Sequence, residues 1–204
     1  MNKSTVAEEF LEYQDKIGDR KGLYESVTKK YDVKRVLYPG SHIDIAPSLV
    51  IPQAIYVDNF KGAIKFFRKI EPIKEYINEN KEYEAPCDIV FLGQDYTEAL
   101  DIEPVDLIIS QYGGFVGQAT KKYLKTGGIL LCNDSHGDAT LAKFDDDFEF
   151  IGVVGKNNKI IRTHLDTYFV LPSSQSIDLA KINEQMKGPK YKSTAENYIF
   201  RKIK

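Results

Sequence analysis

Cysteine is scarce in this chain. It has two, Cys87 and Cys132, and both sit in or beside apolar runs. Two thiols exclude a disulfide framework and a closed zinc site, and their apolar neighbours mark them as small core residues. Long hydrophobic runs are missing too: no stretch reaches the roughly 18 apolar residues that a membrane helix needs. Nor is charge of one sign in excess. The 28 Lys+Arg face 30 Asp+Glu, for a formal net charge of −2, so no molecule-wide field draws the chain to nucleic acid or anionic lipid. Met1 to Leu11 is polar and acidic, unlike a secretory signal. The expectation is a cytoplasmic protein with a small-molecule ligand, and neither a membrane nor a nucleic-acid partner is indicated. Three motifs are absent as well: the Gly-x-Ser-x-Gly elbow of serine hydrolases, the Gly-x4-Gly-Lys-Ser/Thr phosphate loop, and the Gly-x-Gly-x-x-Gly dinucleotide fingerprint.

What is there is an ordinary globular composition, 42% hydrophobic and 28% charged over 204 residues. That length suits a single domain spanning residues 1–204. The first 31 residues read as an N-terminal helical extension. Val6, Phe10, Tyr13 and Ile17 recur at helical spacing, Gly18 and Gly22 interrupt, and Leu23, Val27 and Tyr31 begin a second stripe. Their amphipathic faces fit a lid over a site or a homo-oligomer interface.

Five short apolar runs come next: Arg35–Tyr38, Ala54–Val57, Asp88–Leu92, Val105–Ile109 and Gly128–Cys132. Each ends in polar or glycine punctuation, the pattern of buried parallel strands covered on both faces. Helical segments predicted over Phe60–Ile70, Pro72–Tyr83 and Phe115–Leu124 alternate with them, the last stopped by Lys125-Thr126-Gly127-Gly128. Alternation of this kind predicts an α/β, doubly wound, Rossmann-like, mostly parallel sheet. Later runs at Phe148–Val154, Lys159–Thr163, Tyr168–Leu171 and Asn197–Phe200, with a helix over Ile177–Met186, predict antiparallel C-terminal edge strands. Which of these late runs joins the main sheet stays open.

The informative segment comes after the first strand: Tyr38-Pro39-Gly40-Ser41-His42-Ile43-Asp44. In doubly wound folds this turn meets the ligand, and glycine allows close backbone approach. Asp58 ends the second strand 18 residues after Gly40, near the distance at which a carboxylate takes ribose hydroxyls. Capping the Phe60 helix is its other reading. His42 and Asp44 form a candidate acid–base pair, or else they cap the loop and the short helix after it. Asp134, His136 and Asp138 after the fifth strand are metal-capable, but a polar turn is the simpler reading, and no metal site is assigned.

These segments resemble a class I S-adenosylmethionine-dependent methyltransferase over about residues 30–134. Val36–Ser41 stands at that family's glycine-rich motif. Ala54–Asp58 is similar to its second motif, with the ribose-binding acid in place, Phe91–Asp95 to its third, Asp106–Tyr112 to its fourth, and Tyr123–Leu131 to its helix, glycine turn and fifth strand. The resemblance implies S-adenosylmethionine as cofactor. It implies Tyr38, Pro39, Gly40, Ser41, Asp58, Asn59, Gln94, Asp95 and Ser110 as cofactor-binding residues, and His42, Asp44 and Gln111 as catalytic candidates. The acceptor is not specified. Tyr38 stands where the family has an acid, and His42 and Asp44 where it has glycines. The alternative is therefore a non-catalytic domain of the same fold that binds a nucleoside-like ligand or a protein partner.

Overall fold

The computed structural model describes residues 5–172 and 176–204. The fold is α/β and Rossmann-like, with parallel strands first and antiparallel strands at the carboxy-terminal edge. Two compact units make it up, Met1–Glu98 and Ala99–Lys204.

The first unit opens with α1 (Val6–Ile17) and α2 (Lys21–Tyr31). A capping box starts α1: the Glu8 N–H donates to Thr5 Oγ1, and the Thr5 N–H to the Glu8 carboxylate. Gly18, at φ +82°, ends it. The predicted helical extension is thus two helices. Phe10 of α1 is fully buried, with Tyr76 edge-on at 5.9 Å. Parallel strands β1 (Arg35–Pro39), β2 (Gln53–Val57) and β3 (Asp88–Leu92) lie in the order 3-2-1. Leu37 pairs with Ile55, and Ile55 with Val90. The crossover from β2 to β3 carries α3 (Lys61–Phe67) and α4 (Ile70–Asn80), as the periodicity predicts. The crossover from β1 to β2 has room only for a 3-10 turn, Ala46–Leu49, with Pro47 in its first turn.

The second unit orders its strands 4-5-8-6-7. Strands β4 (Val105–Ser110) and β5 (Leu124–Cys132) are parallel. Strand β8 (Asn197–Lys202) lies antiparallel between β5 and β6 (Phe148–Val154), which answers which late run joins the sheet. The two-residue β7 (Ile160–Ile161) closes that edge. Helices α5 (Val116–Thr120), α6 (Asp138–Lys143) and α7 (Leu179–Gln185) complete the unit.

The structure corrects two expectations. The helix expected to run to Leu124 ends at Thr120 and passes through a 3-10 turn into β5. Lys125-Thr126-Gly127-Gly128 therefore lies inside that strand. Gly127, at φ +83°, sits where the β4–β5 register shifts, so the glycine serves a bulge and not a helix cap. The Tyr168–Leu171 run forms no strand. Phe169 instead packs among Phe150, Tyr191 and Tyr198, with ring centroids 5.0–5.2 Å away, and burying aromatic area outweighs adding an edge strand there.

Gly137 precedes α6 at φ +95°, and a Cβ there would lie 2.6 Å from Ile182 Cγ2. Gly137→Ala combines a left-handed backbone with a steric clash, so it is expected to cost about 2 kcal/mol or more. A fall in the urea unfolding midpoint at unchanged m-value checks this.

Candidate functional site

The β1 loop of the first unit is built around two carboxylates with opposite environments. Gly40, at φ +64°, extends the ladder by donating its N–H to the Val57 carbonyl at 2.8 Å. The chain then turns sharply, because His42 also has positive φ (+49°). Asp58 makes that turn possible. Its Oδ2 accepts the His42 N–H at 2.8 Å, and its Oδ1 accepts the Phe60 N–H at 2.7 Å. One partly exposed carboxylate thus ties the β1 loop to the start of α3. Each oxygen keeps a lone pair after accepting one bond, so Asp58 retains acceptor capacity; it holds the N–H of Phe60, which is the N-cap of α3, and is not itself that helix's cap.

The His42 ring is stacked between Tyr13 of α1 (4.6 Å, 16°) and Phe60 (5.1 Å, 26°). Burial lowers its pKa; Asp58 raises it and Lys16 lowers it further. The imidazole is therefore neutral at physiological pH. Its Nδ1 is buried and has no hydrogen-bond partner among the described residues. In the sequence Tyr13 reads only as part of an apolar stripe, and nothing in its spacing marks it as a partner of His42. Beside this stack lies a cavity of about 270 Å³ whose walls include Glu12, Lys16, His42 and Lys65.

Asp44 is the second carboxylate, and it is buried. Its Oδ2 accepts from the Tyr24 hydroxyl at 2.9 Å and the Tyr38 hydroxyl at 3.2 Å, with Arg20 Nη1 at 3.7 Å. Its Oδ1 accepts the Ala46 N–H at 3.1 Å. Burial raises the Asp44 pKa, while Arg20 and these hydrogen bonds lower it. Tyr38 and Asp44 thus turn their side chains into a buried cluster with α2. Neither side chain projects from the loop, since both are buried. Pro39 and Ser41 are buried as well.

At the ends of β2 and β3, the Asn59 side-chain amide donates to Asp95 Oδ2 at 3.2 Å. Asp95 Oδ1 accepts the Thr97 N–H at 2.9 Å and the Thr97 hydroxyl at 2.7 Å. These bonds hold the Asp95 pKa down. Asn59 and Asp95 therefore form a pair beside Asp58, while Gln94 precedes the pair and is partly exposed.

In the second unit, Ser110 and Gln111 close β4 and are buried. The Ser110 hydroxyl donates to Asp138 Oδ2 at 2.6 Å, which also accepts the Gly117 N–H at 2.9 Å. The Gln111 amide is used at both ends. Its nitrogen donates to Asn197 at 2.6 Å, and its oxygen accepts from Asn133 at 3.2 Å. No spacing in the sequence links Gln111 to Asn197, 86 positions away. Asp134 accepts from the Thr140 N–H and hydroxyl, both at 2.8 Å. Among the described residues, no group of three His, Cys, Asp or Glu is placed to hold a metal ion.

No family model matches the chain, and no curated protein matches it by sequence. Solved structures do match it in fold. The plantazolicin methyltransferase BpumL, solved with S-adenosylhomocysteine, superposes with a TM-score of 0.53 at 10% identity, over 97% of this chain and 90% of its own. A candidate O-methyltransferase from Klebsiella pneumoniae gives 0.53 at 8% identity, over 100% and 91%. A methyltransferase from Geobacter sulfurreducens gives 0.50 at 11% identity, over 75% and 86%. The chain thus shares its fold with solved methyltransferases. Among the described residues, no helix is long and apolar enough to cross a membrane.

Two predictions arise from these carboxylates. Asp44→Ala removes the buried acceptor shared by the Tyr24 and Tyr38 hydroxyls and is expected to cost roughly 3–5 kcal/mol, read by urea denaturation. Asp138 predicts a pH effect. Burial raises its pKa to about 6 from 3.8, against the lowering by its Ser110 and Gly117 bonds, and Asp134 adds to the rise. The folded chain thus holds this proton more tightly than the unfolded one. The stability drawn from it is complete below about pH 4 and is lost as pH rises through 6. Asp138→Asn carries no such proton, so its stability relative to the parent should rise between pH 4 and pH 7, as paired urea midpoints across that range would show.

Proposed function

We propose that this chain is an S-adenosylmethionine-dependent methyltransferase acting on a small-molecule acceptor, with its ligand at the carboxyl ends of the first unit's strands. The observation that carries this reading is Asp58. It stands at the end of β2, locked by the His42 and Phe60 N–H groups, with lone pairs left to accept ribose hydroxyls. Fold likeness alone does not establish an activity, so the reading leans on this side chain and on the paired Asn59 and Asp95.

The residues present suit such a cofactor. Asp58 would accept its ribose hydroxyls, Asn59, Gln94 and Asp95 would lie along its base, and the backbone from Pro39 to Ser41 would approach its amino-acid end. Once bound, it would supply an electrophilic methyl group. The protein's part is then to hold the acceptor in line and exclude water. His42, kept neutral by burial, is the base that takes a proton from an acceptor that must lose one. Asp44 and Gln111, with their polar atoms committed to buried partners, act as positioning residues: Asp44 sets the β1 loop, and Gln111 joins the ends of β4 and β8. Ser110 has the same part through Asp138.

A non-catalytic ligand-binding role is the second reading, favoured by one observation. The Tyr13–His42–Phe60 stack covers the loop with three rings where the family has glycines.

Calorimetric titration with S-adenosylhomocysteine is the test. Micromolar binding is expected, weakened about 10- to 100-fold in Asp58→Ala, the loss of one or two hydrogen bonds to a charged group. The variant's circular dichroism serves as the folding control. Equal affinity in a folded variant would sink the ribose role of Asp58.

A further inference from the structure

One concavity of the second unit is far from Asp58 in sequence and has no part in the function proposed above. It has a volume of about 970 Å³ and is walled by Leu171, Pro172, Ile177, Pro189 and one face of α7. Asp178, Lys181, Ile182 and Gln185 all line it. Their spacing of three, four and seven residues places them on one side of a helix. Ile182 is buried and anchors α7, close enough to Gly137 that any Cβ there would clash with it. Lys181 and Gln185 are left facing the cavity rim.

The returning segment of chain is held just as firmly. Met186, at φ +47°, ends α7 in the left-handed conformation and turns Lys187-Gly188-Pro189-Lys190 back along the cavity. Gly188 lies against the loop after β5, where a Cβ would come within 2.4 Å of Asp134 Oδ2. Asp134 is itself fixed by Thr140, so the cavity wall is braced on the carboxyl end of the sheet.

The charge is the telling feature. Lys181, Lys187 and Lys190 all line this one concavity. The single acid among its lining residues, Asp178, caps α7 by accepting the Lys181 N–H at 3.0 Å. Elsewhere in the chain, lysines near carboxylates pair with them: Lys69 with Glu9, Lys121 with Asp145 and Asp147, Lys125 with Asp106. These three ammonium groups have no acidic partner among the described residues. Three like charges line this concavity although the chain as a whole carries −2. Such a grouping raises the local potential and disfavours the compact state unless an anion shares it.

We infer that this concavity is a binding site for a small organic anion, with an apolar body seated against Leu171, Pro172, Ile177 and Pro189 and a phosphate or carboxylate head held by Lys181, Lys187 and Lys190. Its volume is that of an ordinary small-molecule site. The inference stands apart from the methyltransferase reading, because no residue is shared with the Asp58 site.

The test uses the full chain and three probes followed by backbone amide NMR: phenyl phosphate, benzoate and inorganic phosphate. Saturable shifts confined to residues 171–172 and 176–190 are expected for phenyl phosphate, weaker ones for inorganic phosphate, and weakening for both as salt is raised. Benzoate against phenyl phosphate reads which head group the lysines prefer. The triple variant Lys181→Gln, Lys187→Gln, Lys190→Gln should lose at least about tenfold in affinity. Gln185→Glu is a second variant that leaves the packing of Ile182 alone, and it should weaken binding in the same direction. No saturable shift with either organic probe, or affinity unchanged in folded triple and Gln185→Glu variants, would overturn the inference.

Discussion

A carboxylate taken out of water must be met by donors, and the surroundings of Asp44 are arranged to meet that demand. Its two oxygens draw in the Tyr24 hydroxyl and Arg20 from the α2 side, the Tyr38 hydroxyl from β1 and the Ala46 N–H from the 3-10 turn. Remove it and three elements lose their common partner inside a space where water cannot replace it. The shape of the β1 loop depends on this cluster. With Tyr38 and Asp44 directed inward, the loop is left to Gly40, His42 and the backbone, and Asp58 can reach across to hold it.

The two carboxylates therefore divide the work. Asp44 is buried and engaged through both oxygens, so its proton affinity rises with burial and its value lies in placing the loop. Asp58 is partly exposed and accepts two backbone N–H groups, yet keeps capacity for more. Position along the chain does not tell them apart, since both come after a strand and precede a helical turn. Burial does. The same contrast recurs in the second unit, where Ser110 and Gln111 end β4 but commit their polar atoms to Asp138, Asn133 and Asn197. A polar side chain at a strand end is a ligand contact only if its neighbours leave it hydrogen bonds to make.

The α7 face obeys a different logic. Its apolar side is satisfied by Ile182 against the Gly137 loop, whereas Lys181 is left to solvent beside a concavity. Helical spacing alone groups Lys181 with Gln185. Lys187 and Lys190 join them only because Met186 adopts the left-handed conformation and reverses the chain.

Local periodicity was enough to read the strands from Arg35 to Cys132, the two N-terminal helices and the α/β class, because a buried parallel strand or an amphipathic helix writes its burial into consecutive residues. The candidate ligand-facing acid, Asp58, was legible for the same reason: it closes a strand. What the tertiary structure alone decided was partnership. Gly127 reads as a helix cap until the β4–β5 register shows a bulge. Tyr168–Leu171 reads as a strand until Phe169 is seen among three other rings. That Tyr13 stacks on His42, that Arg20, Tyr24 and Tyr38 close around Asp44, and that β8 inserts between β5 and β6 all join residues many positions apart. Such contacts are set by packing and by the cost of leaving buried polar groups unpaired, and neither has a period along the chain.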